Sequence, residues 1–354
     1  MNKIYNQEDF IVRSRAPLRI SLAGGGTDIN NYFEKFGGSV LNVTINKYAY
    51  AEIQPIENDF IAISVDHDKS FNLKDLSSQE ISNLPKELLL HFKVYKKIIK
   101  TFNNNDNINC KLITFCDSPV GSGLGSSSTL VVAMIKAFAE KLNLGLDDYE
   151  IAELAYSVER EDCNLKGGKQ DQYSATFGGF NFIEFHKRNT IVNPLKLKNW
   201  FKCELETSLI LHFTGISRSS SKVIEDQSNS IFCTSNIALD SLHNIKKEAL
   251  IMKEAILKCD RESIKNSLRR GWAHKSSTSK KVSNKIIEER IKLAFEYGAE
   301  AAKITGAGGG GFLLFMCQPS QSVKLRNKLK EISKDTFFCS FTENGVQAWR
   351  IYYK

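Results

Sequence analysis

The ten residues Pro119-Val-Gly-Ser-Gly-Leu-Gly-Ser-Ser-Ser128 decide how this chain is read. They follow a short strand pattern, Lys111–Phe115, and lead into Ser126–Leu142, which is apolar nearly all round. A helix of that kind is normally buried at the centre of a domain. Glycines in the connecting loop let a backbone approach an anion closely and take positive φ. The helix start behind them adds free N–H groups and the positive end of a dipole. The serines can cap that helix or ligate a metal. The segment therefore has the chemistry of a polyphosphate cradle backed by an apolar rod. It is not a Walker A loop, because no G-x-x-x-x-G-K-[ST] occurs and the lysine is missing. Nor is it a nucleophile elbow, because Gly125-Ser-Ser-Ser-Thr129 lacks the closing glycine.

Two further glycine segments flank it. Lys303-Ile-Thr-Gly-Ala-Gly-Gly-Gly-Gly311 formally matches G-x-G-x-x-G through Gly306, Gly308 and Gly311. A dinucleotide turn opens a helix, whereas here a strand pattern, Phe312–Met316, follows, so the Rossmann assignment fails while close backbone approach remains. Ala23-Gly-Gly-Gly-Thr-Asp28 ends the strand pattern of residues 11–22. Pro17 inside that strand predicts an edge, a bulge or a bend.

Outward from these motifs, residues 39–54 and 60–65 read as strands. Residues 86–102 place Leu88, Phe92, Tyr95 and Ile99 at helical spacing, and 147–161 form another helix. Gly167-Gly168 and Gly178-Gly179 bracket a short segment before a strand at 180–185. The pattern weakens over 187–204, which contains Asn193-Pro194. This predicts one domain over 1–190 and a second over 191–354. The second half reads as a strand at 205–213, long helices near 236–268 and 283–297, a strand at 311–317, a helix at 320–334 and strands at 336–341 and 346–353. This is an α+β pattern without a repeat of fixed period.

Composition narrows the class. The chain has 354 residues, 42% apolar and 25% charged, with 22 Gly and 6 Pro. That excludes collagen-like, low-complexity and broadly disordered chains. No stretch reaches the ~18 uncharged apolar residues of a membrane-spanning helix. The start, MNKIYNQEDF, has no apolar core of a signal peptide, and a cytoplasmic protein without a membrane partner is expected. Eight cysteines without a C-x-x-C pair predict reduced thiols, and six scattered histidines give no zinc spacing. Forty-eight Lys and Arg against 40 Asp and Glu leave a formal +8, spread rather than blocked. With no nucleic-acid motif beside it, this charge suits polyanionic small ligands better than nucleic acid.

Taken together, the three glycine segments resemble those of the GHMP small-molecule kinases, in order and across nearly the whole chain. Pro119–Ser128 matches that family's P-x-x-x-G-L-G-S-S pattern. The resemblance implies the GHMP kinase fold, with an N-terminal domain like domain 2 of ribosomal protein S5 and a C-terminal ferredoxin-like α/β domain. Arg15-Ala-Pro-Leu-Arg-Ile-Ser-Leu-Ala-Gly-Gly-Gly-Thr-Asp28 looks like the sugar-1-kinase version of the first motif. Gly24-Gly25-Gly26 stands where galactokinase has G-E-H, which argues against galactose. With Glu159-Arg160, Gly167–Gln172 and Phe213–Arg218, the motif is most similar to the branch acting on heptose 7-phosphates.

The resemblance implies ATP-dependent phosphorylation of the anomeric C1 hydroxyl of D-glycero-D-manno-heptose 7-phosphate. The product would be the 1,7-bisphosphate, on the way to nucleotide-activated heptose for surface glycans. It assigns ATP binding to Pro119, Gly121, Ser122, Gly123, Leu124, Gly125, Ser126, Ser127 and Ser128. It assigns Mg²⁺ to Ser127 and to Glu159, twelve residues before Asp171. Asp171 is the expected base, with Arg19 beside it. Substrate contacts are expected from Gly26, Thr27, Asp28, Gly168, Lys169, Arg218, Gly308 and Gly309. The acceptor's own phosphate calls for a second anion site, with Lys169, Arg218, Lys222 and Lys275 as candidates and Ser219 or Ser220 as neutral donors. His274 beside Trp272 reads as structural. The partners are a sugar phosphate and ATP, in a monomer or homodimer. Rival readings are an L-fucose kinase-like enzyme, a non-catalytic sugar or ATP sensor, and a diphosphomevalonate decarboxylase.

Overall fold

The computed structural model describes residues 10–119, 121–217 and 236–352. The element order is β1 (Phe10–Ala23), α1 (Asn30–Phe36), β2 (Gly38–Pro55), β3 (Phe60–Ser64), β4 (Lys69–Asn72), α2 (Ser78–Ser82), α3 (Lys86–Phe102), β5 (Cys110–Cys116), α4 (Ser126–Leu142), α5 (Asp148–Ser157), α6 (Gln170–Phe177), β6 (Phe180–Phe185) and β7 (Thr190–Pro194). There follow α7 (Asn199–Ser208), β8 (Leu209–Phe213), α8 (Asn236–Leu257), α9 (Arg261–Ser276), α10 (Lys285–Glu296), β9 (Ala299–Ile304), β10 (Phe312–Cys317), α11 (Pro319–Lys330), β11 (Thr336–Phe338) and β12 (Gln347–Tyr352).

Two sheets organise the chain. The larger runs β12-β1-β2-β5-β3-β4, with β6 also paired to β2 and β7 to β6. The smaller is antiparallel in the order β11-β8-β10-β9. Numbered within its own unit, that order is 4-1-3-2, with helices between its first and second and its third and fourth strands, which is the ferredoxin-like arrangement. Residue 190 opens β7, which pairs with β6, and β12 returns from the far end of the chain to β1. The larger sheet thus draws strands from both sides of the expected boundary.

Both faces of β10 are buried, which explains its unbroken apolar run FLLFMC. Phe312, Leu314 and Met316 pack with Leu18, Ile20, Leu41 and Val43 of the larger sheet and with Met252 and Leu268. Leu313 and Phe315 face Ile287, Leu325 and Leu329 on the opposite side. The first of these cores joins the two sheets. The long helix α4 lies in a third core, with Val131, Val132, Met134, Ile135 and Phe138 fully buried against β1, β2 and α3. This is the central rod that its sequence demands.

Several expectations are refined. Pro17 pairs with β2 alone, two residues past the last β12 pair at Arg15↔Gln347, and sits at a register shift from Pro17↔Tyr48 to Arg19↔Thr44. A bulge there spares the sheet the N–H that proline lacks. The helix expected over 147–161 ends at Ser157 and continues as a π-helical turn, Val158–Asp162. The strand expected at 205–213 is helical up to Ser208, because Phe201 and Leu205 bury on one helical face. The helix expected over 236–268 breaks after Leu257. Cys259 there takes φ 56°, and Asp260 caps α9 by accepting from Ser263 N. The Ala-rich β9 and the short α6 were not legible as elements, because tertiary pairing overrides weak local propensity.

Candidate active site

The three glycine segments converge on one cavity of about 330 Å³. Gly121, Gly123, Gly125 and Ser126–Ser128 line one side, and Arg19, Gly25, Gly26 and Asp28 line another. Glu159, Gly168, Gln170, Asp171, Lys275, Thr305, Gly306 and Ala307 also line it.

The cradle side is built from backbone. Gly125 is the N-cap of α4 in a left-handed conformation, and no side chain caps the helix. The first-turn N–H groups of a 17-residue helix therefore face the cavity with its positive dipole end. The loop is fixed from behind. Arg19 N donates to Leu124 O at 3.1 Å, and Phe312 N donates to Ser122 O at 2.8 Å. A Cβ on Gly306 would stand 2.6 Å from Gly123 Cα. The cradle and the third glycine segment thus press backbone on backbone at this point, and only glycine allows it.

Of the expected cradle residues, Pro119, Ser122 and Leu124 do not line the cavity. Leu124 is buried in the core that joins the sheets. Val120 lies outside the described residues.

Asp171 stands in the first turn of α6. Its Oδ1 accepts from Arg19 Nε at 2.8 Å and Nη2 at 2.5 Å. Arg19 is 4% exposed, and its Nη1 donates to Gly123 O at 2.7 Å. The guanidinium therefore ties the carboxylate to the cradle. A Cβ on Gly125 would lie 3.4 Å from Asp171 Oδ2, so the oxygen not engaged by arginine sits beside the helix start.

Glu159, 2% exposed, rides on the π-helical turn; such turns recur at functional sites. Its Oε1 accepts from Ser127 Oγ at 3.4 Å, and its Oε2 accepts from Gln172 Nε2 at 2.5 Å. Gln172 Nε2 also donates to Ser128 Oγ at 3.2 Å. One buried carboxylate and one hydroxyl, both facing the cradle, are a donor set that fits Mg²⁺, which takes few protein oxygens and completes its shell with phosphate and water. Among the described residues no group of three or more His, Cys, Asp or Glu could hold a metal.

On the far side of the cavity, Asp28 Oδ1 accepts from Gly26 N, and Oδ2 accepts from Gln170 N and Nε2, each at 3.2 Å. Lys275 reaches in from the last turn of α9, with Nζ 3.4 Å from Gly25 O. It is half-buried and open to the cavity, yet it lies deep enough for desolvation to lower its amine to about 8. Asp28 and Asp171 pull it up and Arg19 pushes it further down. Lys303, 7% exposed, donates to Ser21 O at 2.7 Å and Leu22 O at 2.9 Å. Burial holds its amine well below the usual lysine range, and Lys275 and Arg19 add repulsion.

Not every expected contact faces the cavity. Thr27 is buried, and its Oγ1 donates to Gly24 O at 2.9 Å and Ser39 O at 3.0 Å. Lys169 turns to Glu153 at 3.1 Å and lies over the Tyr156 ring. Gly308 and Gly309 pack on Val282, and Thr305, Gly306 and Ala307 face the cavity in their place. Arg218, Ser219, Ser220 and Lys222 lie outside the described residues. Ser21, Gln170 and Lys303 were missed. The only sequence signal for them was adjacency: Gln170 to Asp171, and Lys303 to the third glycine run.

The described cysteines are all free thiols. No helix among the described residues is long and apolar enough to cross a membrane.

Comparison with known proteins agrees with this geometry. Two family models match, GHMP kinases N terminal domain over residues 90–179 and GHMP kinases C terminal over 252–335. The chain is 42% identical over 341 residues to D-glycero-alpha-D-manno-heptose 7-phosphate kinase of Campylobacter jejuni subsp. jejuni serotype O:2, covering 96% of this chain and 99% of that protein. A crystal structure of a D-glycero-D-manno-heptose 1-phosphate kinase from Bacteroides thetaiotaomicron superposes with a TM-score of 0.79 at 36% identity, covering 97% of this chain and 100% of that one. The L-fucokinase/L-fucose-1-P guanylyltransferase of Bacteroides fragilis is 26% identical over 91% of this chain and 36% of its own length. The fold, the meeting of the three glycine segments in one cleft and these likenesses lead to one conclusion: the chain belongs to the GHMP kinase family.

Proposed function

We propose that this chain is an ATP-dependent sugar-phosphate kinase. Its acceptor is D-glycero-D-manno-heptose 7-phosphate and its target the anomeric C1 hydroxyl. The observation that carries the reading is the Asp171–Arg19 pair, bonded to the loop that would hold the nucleotide. The two named heptose phosphate kinases among the relatives support the substrate class, although their names put the phosphate at different positions.

In this reading the N–H groups at the start of α4 and the loop Gly121–Gly125 bind the triphosphate. Ser127 and Glu159 would hold Mg²⁺, which would supply charge neutralisation at the phosphates. Gln172 keeps Glu159 turned toward the cradle. Asp28 receives sugar hydroxyls. Asp171 Oδ2 accepts the C1 hydroxyl proton as the new oxygen–phosphorus bond forms and ADP leaves. Arg19 occupies Oδ1, so it orients the carboxylate and stabilises charge developing between cradle and acceptor. The product would feed nucleotide activation of the heptose.

Mass spectrometry and ³¹P NMR of the product from ATP, Mg²⁺ and heptose 7-phosphate test this. A 1,7-bisphosphate is expected. Turnover confined to an unphosphorylated sugar such as L-fucose would reject the acceptor, and no turnover with any sugar or sugar phosphate would favour a sensor.

A further inference from the structure

Among the cavity residues to which nucleotide, metal and base give no role are Ser21, Gly25, Gln170 and Lys275. They come from β1, the turn after it, α6 and α9, yet they meet at one point. A Cβ built on Gly25 would stand 3.0 Å from Ser21 Oγ, 3.5 Å from Gln170 Nε2 and 3.7 Å from Lys275 Nζ. The neighbouring Gly24 has φ 84°, and a Cβ there would run into the Ser39 carbonyl, so its backbone demands glycine. Gly25 has no left-handed φ. Its missing side chain leaves room, and three polar groups border that room.

Those groups have unused bonding capacity. Ser21 Oγ and Gln170 Oε1 are buried, at 4% and 8% residue exposure, and have no hydrogen-bond partner. Lys275 Nζ has Gly25 O at a long 3.4 Å. Buried polar groups are normally satisfied, and a set left open around one space points to a ligand. The set mixes donors with acceptors: the Lys275 ammonium, the Ser21 hydroxyl and the Gln170 amide, whose Nε2 is the atom nearest Gly25 and whose Oε1 is the unpaired one. A sugar hydroxyl both donates and accepts, whereas a phosphate only accepts. A phosphate beside Lys275 would also face the carboxylates of Asp28 and Asp171, which line the same cavity together with Arg19.

We propose that Ser21, Gln170 and Lys275, arranged around the side-chain-free Gly25, form a socket that reads ring hydroxyls of the acceptor and does not hold the acceptor's phosphate. This rests on the sugar-kinase reading above. It withdraws Lys275 from the candidates for the second anion site and makes it a specificity residue for the ring.

Calorimetric binding separates the possibilities. Heptose 7-phosphate and unphosphorylated heptose are titrated into the wild type and into Lys275→Met, Ser21→Ala and Gly25→Ala, with a non-hydrolysable ATP analogue reporting on the fold. Lys275→Met is expected to weaken both sugars by the same factor, about 10- to 100-fold, with nucleotide affinity unchanged. Gly25→Ala removes no polar group and is expected to weaken both sugars as well. If Lys275→Met weakens only the phosphorylated sugar, the lysine is a phosphate contact and the proposal is overturned. If Gly25→Ala leaves both affinities unchanged, nothing binds in that space and the proposal falls. A wild type that binds neither heptose overturns the acceptor assignment itself, before any variant is compared.

Discussion

The two sides of the cleft are made differently. The cradle side is main chain: glycines, helix-start amides and a loop pinned by Arg19 N, Phe312 N and the Gly123–Gly306 contact. The side proposed for the acceptor is side chain: Asp28, Gln170, Asp171 and Lys275 arrive from the turn after β1, from α6 and from α9, with Gln170 bonded to Asp28, Asp171 to Arg19 and Lys275 to Gly25 O. A triphosphate looks the same in every kinase of this kind, so a rigid amide surface serves it. An acceptor differs from enzyme to enzyme, and side chains from separate elements can change without disturbing the cradle.

This contrast predicts which changes strike chemistry and which strike binding. The largest effect belongs to the residue joining the two sides. Asp171→Asn is expected to lower kcat by roughly 10²–10⁴ with KM for ATP little changed. An unchanged kcat would leave positioning as the only catalytic device. Next is Gln172, which touches neither ligand in this account but orients Glu159. Gln172→Ala is expected to raise the Mg²⁺ concentration for half-maximal activity ~10- to 100-fold and to leave acceptor KM alone. A shift in acceptor KM instead would place Gln172 on the wrong side of the division.

The backbone contact is tested by Gly306→Ala. A Cβ there meets main chain, not a flexible tip, so the loops must part. Overpacking of this kind costs about 1–3 kcal/mol, read as a lowered Tm, and KM for ATP should rise. Unchanged values would mean that the contact is slack.

The smallest effect is a pH dependence confined to the acceptor side. Lys275 titrates at about 8 in the fold against 10.5 unfolded. Between those values the unfolded chain holds more protons, so this group makes stability rise with pH across that window. Acceptor affinity moves the other way, because above about 8 the amine loses its charge. Acceptor KM is expected to climb by up to ~10-fold per pH unit there, while KM for ATP stays flat. The charged groups facing it, Asp28, Asp171, Arg19 and Lys303, remain in place in Lys275→Met, where the rise should vanish.

The same division explains what the sequence revealed. The cradle, the rod behind it and β10 were legible because glycine spacing and continuous apolar runs report local backbone demands. Family motifs point to Asp171, Arg19 and Glu159, and the fold brings all three to the cavity. Gln170, Ser21 and Lys303 were not legible, because their importance comes from strand register and helix packing that no local pattern carries. Lys169 shows the converse case. It lies in a motif and looks like a ligand contact, yet the fold gives it to Glu153. The α6 segment hid for a related reason: eight residues between glycine pairs are too few for periodicity to speak.

The most direct test is a crystal structure with a non-hydrolysable ATP analogue, Mg²⁺ and heptose 7-phosphate together. The triphosphate is expected on Gly121–Ser128 and the metal between Ser127 and Glu159. The sugar's C1 hydroxyl is expected at Asp171 Oδ2, with the ring over Gly25 and the 7-phosphate away from Lys275. A nucleotide lodged elsewhere, or a sugar whose phosphate end faces Asp171, would contradict that arrangement.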